Sequence, residues 1–170
     1  GPGFNLPSVL LANAAIFANG GAHLELGDGE RMLHTQYFPD NRGMDDDLKD
    51  AIRKYYAFLV AYQNLLRDDT VSEPRETVVT GLPVSGTGEA GIVWTLSKEN
   101  TGYQILHLIN LLDDPSNLWR DTGAAYPEPA SRNNLPVRMY LSEPPGGGRL
   151  WTATPDGETL LPVELAYTSG

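Results

Sequence analysis

Cysteine is absent from the 170 residues, which excludes disulfides and thiolate metal sites and leaves the redox compartment open. Excess positive charge is lacking too: 12 Lys and Arg stand against 22 Asp and Glu, a formal charge of −10. That balance offers no basic surface for nucleic acid or an anionic membrane, so neither is expected as a partner. No apolar run approaches the roughly 20 residues of a membrane span. An initiating Met and a signal segment are also missing, and Gly1-Pro2-Gly3 reads as an arbitrary cut, so a fragment is expected. No internal repeat is visible, and the only low-complexity tract is the glycine-proline turn after Glu143.

What remains is an ordinary globular composition, 41% hydrophobic and 20% charged, long enough for one good core or two small ones. From Asn5, the run NLPSVLLANAAIFANGG fits a helix with Pro7 in its first turn, small residues Ala12, Ala15 and Ala18 for close packing, and Asn19-Gly20-Gly21 as a left-handed stop. The alternation from Ala22 to Leu26 predicts a short strand with His23, Glu25 and Gly27 on one face and Ala22, Leu24 and Leu26 on the other. Residues 27 to 44 have the composition of a long ordered loop. Leu48, Ile52, Tyr55, Leu59, Tyr62 and Leu66 then recur at spacings of four and three, one face of a helix. Asp45, Asp46 and Asp47 favour its positive end and Arg67 its negative end.

After Asp68, glycine and proline punctuate short β-branched runs. GIVWTL (91 to 96) and YQILHLINLL (103 to 112) flank a hairpin signal with Asn100 and Gly102 available for positive φ. PVRMYLS, RLWTAT and TLLPVELAY follow as further strands. This texture predicts an all-β region beyond a boundary near residues 69 to 76.

In α/β units, ligands sit at the carboxyl ends of strands, which makes Glu25, Gly27, Asp28 and the loop after them the site candidates. A carboxylate on a strand between two helices needs donors or a polar pocket, which favours a functional Glu25. His23 reads either as a residue lining a substrate site or as a satisfied core histidine. Glu25 with Asp28 is the only local carboxylate pair of the kind that glycoside hydrolysis uses. Gly27-Asp28-Gly29-Glu30 lacks the spaced oxygens of a calcium loop, and His23, His34 and His107 lack the spacing of a zinc site. No metal and no cofactor are expected. His34 reads as a surface residue. Trp94, Trp119, Trp151 and Tyr103 are candidates for a sugar-stacking platform, with core packing the simpler reading for Trp94 and Trp151 and a domain contact the other reading for Trp119.

LANAAIFANGGAHLELGDG, MLHTQYFPDN and DDLKDAIRKYYAFLVAYQNLLRD, taken in order, resemble the late catalytic barrel of glycoside hydrolase family 66, the dextranases and cycloisomaltooligosaccharide glucanotransferases. LHLINLL and WRD resemble the β domain that follows it. The resemblance implies an α+β fragment: residues 4–70 as the last helix-strand-helix of a (β/α)8 barrel, and 71–170 as an antiparallel Greek-key β-sandwich cut short at its end. It further implies a secreted bacterial protein that hydrolyses or transglycosylates α-1,6-glucan with retention. The family's aspartate nucleophile and glutamate acid/base lie on earlier strands outside this chain, so no catalytic residue is carried over. His23, Glu25, Gly27, Asp28 and Tyr37 become substrate-binding candidates, and the partners expected are α-1,6-glucan or isomaltooligosaccharide and the remainder of the barrel. A glucan-binding module and a purely structural sandwich are the alternatives.

Overall fold

The computed structural model describes residues 3–24, 26–34, 40–118, 121–143, 148–157 and 160–168. Helix α1 (Leu6–Ala18) begins with Pro7 in its first turn and is apolar on every side. A helix without a polar face must be covered on more than one side, and this one is. Its Leu6 and Val9, with Phe4, pack on a core of Met32, Leu48 and Ile52. Its Leu11 and Ala18 pack on a second core with Ile109 and Leu111.

Helix α2 (Asp46–Ala61) starts where the Asp45 side chain accepts the Leu48 backbone N–H at 2.9 Å, a direct N-cap. The single long helix expected here breaks at Tyr62, and a short turn α3 (Gln63–Leu66) completes it. Leu48, Ile52 and Leu66 from the predicted face are buried.

Two expectations for the segment between the helices are corrected. The run from Ala22 to Leu26 forms no strand among its described residues; only Leu26 makes an isolated antiparallel bridge, to Met32. Alternation marks which side chains share a face, but a ladder also needs a neighbouring backbone, and here one bridge is all that is supplied. Leu24, on the face read as apolar, is 67% exposed. The expected loop instead contains a hairpin, β1 (Arg31–Leu33) with β2 (Asn41–Gly43), whose three-residue strands are too short to announce themselves by pattern.

The β region is built on β6 (Val93–Asn100) and β7 (Tyr103–Asn110), paired antiparallel over their full length from Val93↔Asn110 to Asn100↔Tyr103. The strand runs through Asn100, so the turn shrinks to Thr101-Gly102, with positive φ at Gly102 and not at Asn100. On the other edge of β6, β3 (Val71–Ser72) pairs antiparallel at Lys98–Glu99 and β5 (Val84–Ser85) pairs parallel at Val93–Trp94. β4 (Thr77–Val79) pairs with β8 (Val137–Met139), and β9 (Leu150–Thr152) with β10 (Val163–Leu165). The region is therefore mixed rather than wholly antiparallel. The described strands form a mixed α/β fold with several small sheets, and neither a closed barrel nor a complete sandwich is formed within them. Trp94 packs against the Ile109 core, but Trp151, expected in a core, is 47% exposed because both strands of its ribbon face solvent on both sides.

Candidate functional site

The site segment begins at the end of α1. Gly20 N–H donates to Phe17 O at 2.9 Å and Gly21 N–H to Ile16 O at 2.8 Å, the paired bonds of a Schellman cap. Gly20 has φ +82°, a conformation that side chains other than glycine resist. Gly21 is constrained by space instead, since a Cβ there would stand 2.8 Å from the Ile16 side chain. Together the two glycines turn the chain back along the helix it has just left. His23 thereby meets a residue ten positions earlier: its Nδ1 lies 3.2 Å from Oδ1 of Asn13, in the middle of α1. Asn13 is 2% exposed. It went unnoticed in the sequence, although an Asn inside an otherwise apolar helix is the available signal, because Asn is a poor helix former that needs a partner when buried.

Beyond Leu26 the chain makes a tight turn in which Gly27 N–H donates to Arg31 O at 2.7 Å and Gly29 takes φ +62°. A Cβ on Gly27 would overlap the side-chain oxygen of Asn41 on β2, so glycine is required for that close approach. Arg31 donates to the Asn41 backbone oxygen, closing the hairpin. Asp28 is exposed at the tip of the turn. The turn is tied to α2 by Lys49, which lies 2.7 Å from Glu30 and 2.9 Å from Asp46; these hydrogen bonds raise the Lys49 pKa. His34, read as a surface residue, is half-buried, with its ring against Phe4 and its Nδ1 3.8 Å from Asp40. Glu25 and Tyr37 lie outside the described residues, as does Trp119. The structure thus brings Gly27 and Asp28 onto one turn and places His23 against α1.

Of the aromatic candidates, Trp94 is half-buried with its indole N–H on Gly86 O at 3.1 Å, while Tyr103 is exposed at the hairpin tip of β7. Among the described residues no group of three His, Asp or Glu is arranged to hold a metal ion.

Two polar networks hold the helices against the β region, one at α1 and one at α3. Near the start of α1, the Asp121 carboxylate accepts from Asn5 Nδ2 (2.9 Å), Ser8 Oγ (2.5 Å), Ala125 N (2.8 Å) and Tyr126 N (3.1 Å). Burial alone would raise the Asp121 pKa, but these four donors outweigh it and hold the carboxyl well below its usual range. At the end of α3, Lys98 on β6 is buried and donates to Leu66 O at 2.6 Å, beside Gly20. His107 lies on the adjoining strand; burial, reinforced by the Lys98 charge, lowers its pKa to about 4.

Residues 3–170 match the family model for glycosyl hydrolase family 66. The chain belongs to glycosyl hydrolase family 66. It is 40% identical over 176 residues to a cycloisomaltooligosaccharide glucanotransferase of Niallia circulans, covering 98% of this chain and 17% of that protein. It is 29% identical over 152 residues to a Streptococcus salivarius dextranase, covering 79% of this chain and 18% of that one. The crystal structure of a Paenibacillus sp. cycloisomaltooligosaccharide glucanotransferase, complexed with cycloisomaltoheptaose, superposes with a TM-score of 0.87 and 33% identity, over 96% of this chain and 23% of the other. This family 66 chain therefore spans less than a fifth of the length of the curated relatives it matches. No helix among the described residues is long and apolar enough to cross a membrane.

Proposed function

We propose that this chain is part of a retaining enzyme acting on α-1,6-glucan, either hydrolysing it or transferring its products to new acceptors. Residues 4–70 are the C-terminal segment of a (β/α)8 barrel, and residues 71–170 are an accessory β-sandwich. The segment after α1 and the turn after Leu26 form one wall of the substrate site, with His23, Glu25, Gly27, Asp28 and Tyr37 facing an isomaltooligosaccharide. The acid and nucleophile lie outside the chain, and the protein works outside the cell. The observation that carries this reading is the superposition of nearly the whole chain on a relative complexed with a cyclic isomaltooligosaccharide. The helix-reversal-turn geometry supports it, because the stretch of chain joining α1 to α2 carries both His23, held against α1, and Asp28, exposed at the tip of the turn.

The 170-residue chain, incubated alone with dextran, is expected to release no reducing ends and no cyclic products. Turnover by the chain alone would place the catalytic carboxylates within it and overturn the reading. In the complete enzyme, Glu25→Gln is expected to reduce turnover well beyond any loss of stability.

The Asp121 and Lys98 contacts favour a structural role for the β region, as a brace against α1 and α3. Affinity electrophoresis of the folded chain through dextran-containing gel distinguishes this from a glucan-binding module. A brace migrates unretarded, and a binding module does not.

A further inference from the structure

The face of β6 and β7 that meets the helices holds one titratable group between an apolar half and a polar half. Cross-strand partners share a face, so Trp94 stands beside Ile109, Leu96 beside His107 and Lys98 beside Ile105. Trp94, Leu96 and Ile109 pack with Leu11 and Ala18 of α1. At the other end of the face, Lys98 Nζ donates to Leu66 O at 2.6 Å and Asn100 Nδ2 to Asn64 O at 3.1 Å, both in α3. His107 lies between the two halves. Its Nε2 is shut off from solvent with no hydrogen-bond partner among the described residues, and so is Asn100 Oδ1, which makes this seam the poorly satisfied part of the contact.

A proton on His107 would place a second cation beside Lys98, and no carboxylate faces the pair among the described residues. Neither α1 nor α3 contains an ionisable side chain. Arg67 and Asp68, which follow α3, pair with each other at 3.0 Å and are about half exposed. Glu99 points to the opposite face of β6, where it holds Arg75 at 3.1 Å.

We propose that the seam between the β6–β7 sheet and the helices is an acid-sensitive hinge: protonation of His107 opens it beside α3, while Asp121 keeps the start of α1 attached. The opening is local because the ties differ in strength. Exposing the ring by parting β6 from β7 would break a ladder of eight residue pairs, whereas lifting the sheet from α3 breaks two side-chain hydrogen bonds. The ring takes a proton less readily in the closed seam, at about pH 4 against the ordinary 6.5, so the closed form is fully favoured above pH 6.5 and loses ground as the pH falls toward 4. Four donors keep the Asp121 carboxyl ionised through that interval, so its tie to Asn5 and Ser8 persists as the pivot.

Amide hydrogen exchange of the 170-residue chain at pH 7.5 and pH 5, corrected for intrinsic rates, reads the parts separately. Protection of the Gly20, Gly21 and Arg67 amides, at the ends of α1 and α3, is expected to fall about thirtyfold, the factor that His107's shift produces at pH 5. The Ala125 and Tyr126 amides on Asp121, and the β6–β7 ladder, should keep theirs. His107→Gln, which takes up no proton, should abolish the fall. An equal loss in all three groups would be ordinary acid unfolding and overturns the hinge. Protection at Gly20, Gly21 and Arg67 that stays constant, or falls as much in His107→Gln, overturns the role of His107. If that variant folds poorly, an NMR titration of the wild-type ring decides: a His107 that titrates near 6.5 while the seam stays protected overturns the proposal as well.

Discussion

Lys98 Nζ donates to the backbone oxygen of Leu66 at 2.6 Å, so a cation from the β region closes the last turn of the helical region. The terminal carbonyls of a helix carry partial negative charge and lack intrahelical donors, which makes a buried ammonium a fitting cap despite its desolvation. Burial lowers the Lys98 pKa, and the described residues give it no carboxylate partner. Lys98→Met keeps the stem and removes the donor. It should destabilise the chain by about 1–3 kcal/mol in urea unfolding, the cost of an orphaned buried acceptor. Unchanged stability would mean that water replaces the ammonium at Leu66.

His107 makes folding sensitive to mild acid. Its folded pKa, about 4, lies below the ordinary value of 6.5, so the unfolded chain binds the proton more readily. The stabilisation is complete above about pH 6.5 and is lost as the pH falls toward 4. The full loss is roughly 3 kcal/mol. Urea midpoints between pH 7.5 and 4 should fall in the wild type and flatten across that window in His107→Gln. An equal slope in both would assign the acid sensitivity to other groups.

Asp121 acts at lower pH. Its depressed pKa means that the unfolded carboxyl takes up a proton first, near 3.8, so its contribution is present above that pH and declines below it. Asp121→Ala should lower the urea midpoint clearly at pH 7, with the gap to wild type narrowing below pH 3.8. A gap that does not change with pH would trace the effect to packing rather than to the charge.

The glycines after α1 should differ from a nearby one. Gly21→Ala forces a Cβ against Ile16 and should cost about 1–3 kcal/mol. Gly20→Ala, strained by its positive φ, should cost about 1 kcal/mol. Gly43→Ala meets nothing within 4 Å and has an ordinary φ, so its effect should stay within about 0.5 kcal/mol. Equal melting temperatures for all three variants would refute the reversal as a packing constraint.

Elements whose signal is local were legible in the sequence. The 3.6-residue pattern placed α2, the proline and glycine pair bounded α1, and two β-branched runs around Gly102 placed the β6–β7 hairpin. The segment from Ala22 to Leu26 was misread because pairing depends on a neighbour that alternation cannot reveal. β1 and β2 were missed because three residues carry no period. Of the site, the turn glycines could be named from type alone and Asn13 stands out as an Asn within an apolar helix, whereas its partner His23 and the role of Asn41 beside Gly27 could not be read, because they depend on contacts made across the fold.

β3 and β5 occupy different stretches of the same edge of β6, and they run in opposite directions. The chain between them leaves that edge, pairs as β4 with β8, and returns. Each strand's register is therefore pinned separately, by Ser72↔Lys98 at one end and Val84↔Val93 at the other. Residues added or lost near Gly81, where the excursion turns back, shift neither alignment. Evolution can lengthen or trim that excursion without re-registering the sheet beneath it.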